Sequence, residues 1–264
     1  MRPRKLLVDD SGDQGSAFVT ALARGLDILA AFKRGESTLG NKDLAARTGL
    51  SKSTVSRLTY TLNRKGYLSY DPATSRYSLA PPVLSLGFSC LSGMSVLTLA
   101  QPGLEALANE IGAPVAIAGC DRLSMVYLAF ARSSNPVILA IDVGAHIKLA
   151  TSAMGRAYLA AQTDKQREDI FEALAVHEGK RWPLLRDSIE REIERYHKYG
   201  YCMSLCDWKS DVNAVAVPYR PSSGGSVLAF NCGGPTQIIT ENRIHEDVGP
   251  KLIQLVGELN HITP

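Results

Sequence analysis

The densest set of chemistry-bearing side chains lies between Lys52 and Arg76. Lys52, Ser53, Thr54, Ser56, Arg57, Tyr60 and Arg64 bring cations, hydroxyls and a phenol, and no carboxylate interrupts them. At about 100° per residue, Ser53, Ser56, Arg57, Tyr60 and Arg64 share one face of a helix. Such a face suits hydrogen bonding to base edges and phosphates. A guanidinium forks onto guanine, hydroxyls reach bases or phosphate oxygens, and nothing repels the backbone. Arg76 adds a cation near a hairpin tip, where a minor-groove or phosphate contact would fall.

A helix must hold that face, and Val55, Leu58 and Leu62 at i, i+3 and i+7 supply its inward stripe. Residues 41–47 read as a shorter helix with Leu44 and Ala45 inward. Gly49 makes the tight turn between the two, and Leu50 plugs it from below. After Gly66, GYLSY and RYSL bracket Asp71-Pro72-Ala73-Thr74, a β-hairpin with a four-residue turn. Helix, turn, helix and hairpin make a winged helix-turn-helix, which docks in the major groove. Residues 18–33 add a preceding helix, with Leu22, Leu26, Leu29 and Ala30 at helical spacing to pack behind the recognition unit.

The run LAARTGLSKSTVSRLTYTLNRKGYLSYDPATSRYSLAPPVLSLG resembles the IclR-type family of bacterial transcriptional regulators. In that family a GL-(P/S)-KSTV-x-RLL-x-TL recognition helix leads through GY(L/V)…D…(Y/F)xLG into a linker helix. Two positions depart mildly: Arg57-Leu58-Thr59 stands for the common RLL, and Tyr77-Ser78-Leu79-Ala80 for YRLG. The likeness covers nearly everything from Phe18 to the C-terminus. It implies an α+β protein, with an N-terminal winged helix-turn-helix and a C-terminal GAF/PAS-like effector-binding domain built on an antiparallel sheet. The expected bounds are a disordered tail at 1–15, the DNA-binding domain at 16–80, a linker and dimerisation helix at 81–94, and the effector domain at 95–264.

Composition agrees with two modest domains: 264 residues, 45% hydrophobic and 21% charged. The net charge of +3 hides an asymmetry. Residues 1–80 hold thirteen Lys and Arg against seven Asp and Glu, a balance of +6, while the remainder stands at −3. The basic excess thus sits on the segment expected to meet DNA. Five cysteines, at 90, 120, 202, 206 and 232, and no secretory core in MRPRKLL lead to an expectation of reduced thiols in a cytoplasm. No apolar run approaches about 18 residues, so no transmembrane helix is expected. In the tail, Arg2, Arg4 and Lys5 offer an auxiliary phosphate contact.

Pro81-Pro82 ends the hairpin, because tandem prolines cannot continue a ladder. Residues 83–93 then read as a helix whose Val83, Leu84, Leu86, Phe88 and Leu91 are too apolar for a solvated connector. They suit packing within the chain or a dimer seam. A seam matches the pairing seen in the family and the need for two recognition helices. Beyond come a helix at 95–111 and strands at 114–119, 125–131 and 136–143; SMVYLAFA reads as buried on both faces. HIKLATSAMGRAYLA is similar to the family's LPLHATAxGKAxLA, a loop feeding a helix from about Ser152. Helices at 164–176 and 183–199, strands at 212–220 and 226–232, and a final helix at 241–259 kinked at Pro250 complete the chain.

By resemblance, an effector pocket lies between the sheet and the segment that starts the helix after Thr151. Carried over residue by residue, it takes in Thr151, Ser152 and Ala153, then Ser204 with Asp207 and Asp211, then Asn213, Ala214, Asn231 and Gly233. The residues themselves add two arguments. Ser152 stands at a helix N-terminus, which favours a carboxylate ligand but equally needs a plain N-cap. Asn231, inside an apolar strand, demands partners, from a ligand or from the protein. Some members carry Cys at the position of Ala214 and Ser at those of Asn231 and Gly233, which leaves the effector unnamed.

Cys202 and Cys206 lie near His197 and Asp207 but lack C-x-x-C spacing, and their segment reads as a loop. No metal and no cofactor is expected. Cys120 and Cys232 read as core. The chain has no G-x-S-x-G, no P-loop and no paired-His motif, and Asp207 and Asp211 have no visible partner acid or base. An enzymatic second domain is therefore disfavoured, and no catalytic residue is assigned. A DNA-bound architectural protein whose second domain only dimerises is the other alternative. The preferred reading is a homodimer, or a dimer of dimers, on near-palindromic double-stranded DNA, controlled by a small organic acid or aromatic catabolite. Arg57 and Ser53 would read bases while Lys52, Arg64 and Arg76 hold phosphate.

Overall fold

The computed structural model describes residues 18–33, 35–133, 141–222 and 224–262. Its contacts divide after Met94 into two compact units. The expected tail at 1–15 and most of the expected strand at 136–143 lie outside the described residues; residues 141–143 are described and are not strand.

The N-terminal unit runs α1 (Thr20–Ala30), α2 (Asn41–Thr48), α3 (Lys52–Arg64), β1 (Leu68–Asp71), β2 (Arg76–Leu79) and α4 (Pro81–Ser92). Gly49, at φ 71°, closes α2 in the left-handed conformation and gives its N–H to the Ala45 carbonyl. Two residues later Ser51 caps α3, its hydroxyl accepting the Thr54 N–H. Val55 is buried against Ile28, Leu39, Leu44 and Leu68, with Leu50, Leu58 and Leu62 packed around them. Each such aliphatic side chain contributes about 1.5–3 kcal/mol when fully buried. Thr59, where the family carries leucine, is fully buried too. Its hydroxyl donates to the Val55 carbonyl at 2.9 Å, so the helix itself satisfies it.

Two expectations for this unit need correction. The hairpin pairs Asp71 with Arg76, which moves the turn one residue on, to 72–75. Ser75 takes its left-handed position at φ 54°. On α1 the buried residue is Ile28, while Leu22 and Leu26 face outward. This helix is apolar on more than one side, so spacing alone could not choose the inward stripe. On α4 no residue is buried.

The C-terminal unit opens with α5 (Ser95–Ile111), β3 (Val115–Asp121), β4 (Ser124–Ala131) and β5 (His146–Lys148). There follow α6 (Ala153–Ala160), α7 (Asp164–Glu178), α8 (Trp182–Tyr199), β6 (Cys202–Leu205), β7 (Val212–Tyr219) and β8 (Leu228–Pro235). The strands form one antiparallel sheet in the order β5-β4-β3-β8-β7-β6. One face carries Ala116, Ala118, Ala216 and Ala229 into a core shared with Met154, Leu159 and Ile189 of α6 and α8. Residues of the other parity, among them Val115, Ile117, Val215 and Phe230, are equally buried. Helices therefore cover both faces. Small side chains on the first face let α6 come close. At Gly155 an added Cβ would stand 2.0 Å from the Leu149 carbonyl oxygen, so only glycine fits there.

Three further differences from expectation have simple causes. β4 alternates strictly, with Met125, Tyr127, Ala129 and Ala131 buried. A register shift opposite Ile117 and Ala118 sets Met125, Tyr127 and Phe130 on one face and Val126, Ala129 and Ala131 on the other. The alternation in burial is masked in the sequence because Val126, Leu128 and Phe130 are apolar as well. Cys202 to Leu205 is the strand β6 rather than loop, recruited by pairing with β7. The final helix breaks before Pro250: after α9 (Glu241–Arg243) one π-turn covers Ile244–Val248, and α10 (Gly249–Ile262) resumes beyond it. Proline lacks the N–H that would continue the regular ladder, and the wider turn precedes it.

Candidate nucleic-acid interface and effector cavity

On α3, Lys52, Ser53, Ser56, Arg57, Tyr60 and Arg64 are exposed and Thr54 is half-buried. The hydroxyls of Ser53 and Thr54 cluster on the capping Ser51, at 3.0 and 2.9 Å. Ser56 accepts a bond from the Asn41 amide at 3.2 Å, which ties the first helix of the motif to the second. Among the described residues, no ion pair or side-chain hydrogen bond engages Lys52, Arg57, Tyr60 or Arg64. Cations free of internal partners, on an exposed helix with no acid, are what phosphate and guanine contacts require.

Arg76 is different. Its Nε donates to Thr38 Oγ1 and its Nη2 to the Thr38 carbonyl and to Asp43 Oδ2, each at 2.9 Å. These bonds form an internal brace that ties the hairpin to α2. Arg47 is likewise engaged, with Glu36 and the Ala31 carbonyl. Around these arginines the carboxylates ionise more easily than usual. Asp43 is held below the ordinary range chiefly by the Gly40 N–H and then by Arg76. Glu36 is held down by its bond from Arg47. At the wing tip Asp71 is lowered by the Thr74 hydroxyl and the Ala73 N–H.

In the C-terminal unit a small cavity, partly open to solvent, lies at the sheet. Its walls include Tyr127, Phe130, Ile141, Ile147, Trp208 and Val212, together with Ala214, Asn231 and Gly233. Of the expected effector residues, those last three line it. Asn231 is 8% exposed, and its amide has no hydrogen-bond partner among the described residues. The aromatic walls were missed in the sequence, because Tyr127, Phe130 and Trp208 converge only through strand order and a loop.

The remaining expected residues lie elsewhere. Ser152 is an N-cap, its hydroxyl accepting the Gly155 N–H at 3.1 Å. Thr151 and Ala153 are buried beside it, and the Thr151 carbonyl accepts the Ser204 hydroxyl at 2.8 Å. Asn213 alternates onto the opposite face of β7 from Ala214 and gives its amide to the Ile239 carbonyl at 2.8 Å. Asp211 is exposed. Asp207, which looked partnerless, pairs with Arg156 at 2.7 Å. Burial raises the thiols of Cys202, Cys120 (to about 11) and Cys232 (to about 12), which keeps them protonated and unreactive at neutral pH.

A winged helix-turn-helix followed by a sheet-based α+β domain defines a class of DNA-binding regulators. The chain matches the IclR helix-turn-helix domain over residues 21–72 and the bacterial transcriptional regulator IclR C-terminal domain over residues 88–260. It is 36% identical to the HTH-type transcriptional regulator TsaQ1/TsaQ2 of Comamonas testosteroni, over 95% of this chain and 91% of that protein. It is 27% identical to the Pca regulon regulatory protein of Pseudomonas putida, over 98% and 88% of the two. The crystal structure of an IclR family transcriptional regulator from Brucella abortus superposes with a TM-score of 0.89 at 40% identity, covering 100% of both chains. An IclR homolog from Microbacterium hydrocarbonoxydans, solved with 4-hydroxybenzoate, shares the fold at TM-score 0.69 and 18% identity, over 92% and 96% of the chains. The protein belongs to the IclR family of DNA-binding transcriptional regulators, which is not a family of enzymes. Among the described residues no single helix is long and apolar enough to cross a membrane.

Proposed function

We propose that the protein is a cytoplasmic, effector-controlled regulator that binds a near-palindromic operator as a dimer or dimer of dimers. The observation that carries the DNA reading is the row of exposed, unpartnered Lys52, Arg57, Tyr60 and Arg64 on α3. Arg57 and Ser53 read bases in the major groove, and Lys52 and Arg64 grip phosphate. Arg76 is withdrawn from that set. Pairing is supported by unpartnered apolar side chains within the N-terminal unit: Val19 just before α1, Leu22 and Leu26 on it, and Leu84, Leu86 and Phe88 on α4. Two copies would cover these side chains and present two recognition helices to adjacent half-sites.

The effector occupies the cavity beside Asn231. Tyr127, Phe130 and Trp208 suit an aromatic ring, and the Asn231 amide suits one hydrogen-bonding substituent. No cationic side chain lines the cavity among the described residues, which favours an aromatic catabolite over a multiply charged organic acid. The relative bound to 4-hydroxybenzoate lends this choice support. Binding shifts the population of operator-competent dimers by its differential affinity for the two states.

The experiment is thermal-shift screening of simple benzoates and phenols against small aliphatic acids, followed by operator titration with and without each hit. Aromatic hits that alter operator affinity are expected. Stabilisation by aliphatic di-acids alone would defeat the aromatic reading. No hit from either set would favour a C-terminal unit that only holds DNA readers together.

A further inference from the structure

Arg156 of α6 is 2% exposed, yet it joins four parts of the C-terminal unit. Its Nη1 donates to the Met203 carbonyl of β6 at 2.8 Å and to Asp207 Oδ2 at 2.7 Å. Its Nη2 donates to Ser188 Oγ of α8 at 2.8 Å. Its Nε is buried with no hydrogen-bond partner. A guanidinium so far out of water with a donor unused is a costly way to gain stability, since an apolar side chain of like volume often does as well. Part of its role is to cover the outer edge of β6, where the Met203 N–H is taken by Glu192 Oε2 at 2.6 Å and the carbonyl by Arg156. Edge cover does not need Asp207.

Asp207 stands beside Trp208, on the loop between β6 and β7, and Trp208 is a wall of the cavity. The loop leaves β6 through Cys206 at φ 59°; Cys206 N–H bonds the Val212 carbonyl and Val212 N–H the Lys209 carbonyl, both at 3.1 Å. Cys206 Sγ reaches Asn213 Oδ1 at 3.6 Å, and at the loop's far end the Asp211 carbonyl accepts the Thr236 N–H at 3.0 Å. None of these ties the loop to α6. The Asp207 side chain is 40% exposed, so its one charged bond to buried Arg156 is what anchors the loop to α6. We propose that Arg156 and Asp207 are positioning residues for the effector: their ion pair latches the β6–β7 loop so that Trp208 closes the cavity. A ligand seated against Trp208 then reports, through Arg156, to α6, α8 and β6 at once. The role for the ligand rests on the cavity being the effector site; the latch on Trp208 stands independently of it.

The test uses the full chain with Trp182→Phe, which leaves Trp208 as the sole indole of the two in the sequence. Adding Asp207→Ala keeps the Arg156 bonds to Met203 and Ser188. It should red-shift Trp208 emission and raise its acrylamide quenching constant about twofold, read well below a melting temperature that falls because buried Arg156 loses its counter-ion. Asp207→Asn should fall between the two. Unchanged quenching in Asp207→Ala would overturn the latch. Should Trp182→Phe fail to fold, fluorine NMR of 5-fluorotryptophan-labelled protein reads the same Trp208 displacement, on the same criterion. In a separate arm, 4-hydroxybenzoate should shield Trp208 from quenching in the latched protein and do so less in Asp207→Ala. Absence of shielding counts against that aromatic probe as effector, while the quenching difference alone decides the latch.

Discussion

On α3 the side chains free of intrachain bonds are the exposed ones, Lys52, Arg57, Tyr60 and Arg64. In the C-terminal unit the free group is the Asn231 amide, on a residue 8% exposed whose polar atoms open onto the cavity. Their neighbours of the same chemical types are engaged: Arg76 with Thr38 and Asp43, Asn213 with the Ile239 carbonyl, Ser204 with the Thr151 carbonyl. Residue type proposed the α3 side chains, Arg76 and Asn231 as ligand contacts, and the family resemblance proposed Asn213 and Ser204; partnership divides them. A polar group whose bonding capacity the fold has already used holds the fold, and one left open awaits something else.

The largest effect expected from this division is on DNA. Arg57→Ala should cost about 1–3 kcal/mol of discrimination between operator and random DNA, with thermal stability nearly unchanged. Fluorescence anisotropy at fixed salt measures it. Wild-type discrimination in that variant would show that a free cation on α3 is merely a solvated one, and the comparison would fail at its first test.

The two asparagines give the next contrast. Asn213→Leu strands the buried Ile239 carbonyl and should destabilise the protein by about 1–3 kcal/mol in denaturant titration. Asn231→Leu removes an amide that has nothing to bond. It should change stability by less than about 1 kcal/mol while abolishing the response to the effector. Equal destabilisation by the two would mean that Asn231 is held by the fold.

How much of this was legible in the sequence depends on how far each partner lies along the chain. α3 announces itself because its stripe of Val55, Leu58 and Leu62, its Ser51 cap and the Gly49 turn all act within a few residues of one another. The C-terminal domain was legible as a resemblance, and of its cavity Ala214, Asn231 and Gly233 were too, but the aromatic walls were not. Asp207 and Arg156 are 51 positions apart, and β6 is a strand only because β7 lies beside it. Leu22 and Leu26 misled for another reason. A helix in a unit with open apolar faces carries two stripes, and periodicity cannot say which one the chain itself covers.

Arg76 sharpens the comparison within one domain. Arg76→Ala should lower the stability of the N-terminal unit by about 1 kcal/mol, since its bonds are charged but half-exposed. It should leave the salt dependence of DNA binding as it was, whereas Lys52→Ala should reduce the slope by about one unit. A loss of slope in Arg76→Ala would return that arginine to the phosphate set.

The smallest effect expected is the acid response of the same brace. Asp43 is depressed by the Gly40 N–H and by Arg76, so the folded protein binds its proton less readily than the unfolded chain does. Its contribution is therefore fully present above the unfolded carboxylate value, near pH 4, and is lost as pH falls through the lower folded value. Glu36 and Asp71 are depressed in the same direction and add to the slope. Melting temperatures measured on the full chain from neutral pH downward should fall most steeply below about pH 4. Asp43→Asn should start lower at neutral pH and fall less over the acid range, because an amide keeps the Gly40 cap but has no proton to gain. If the two curves run parallel, the Asp43 carboxylate is not what the folded state holds ionised, and the brace owes its strength to the Thr38 contacts alone.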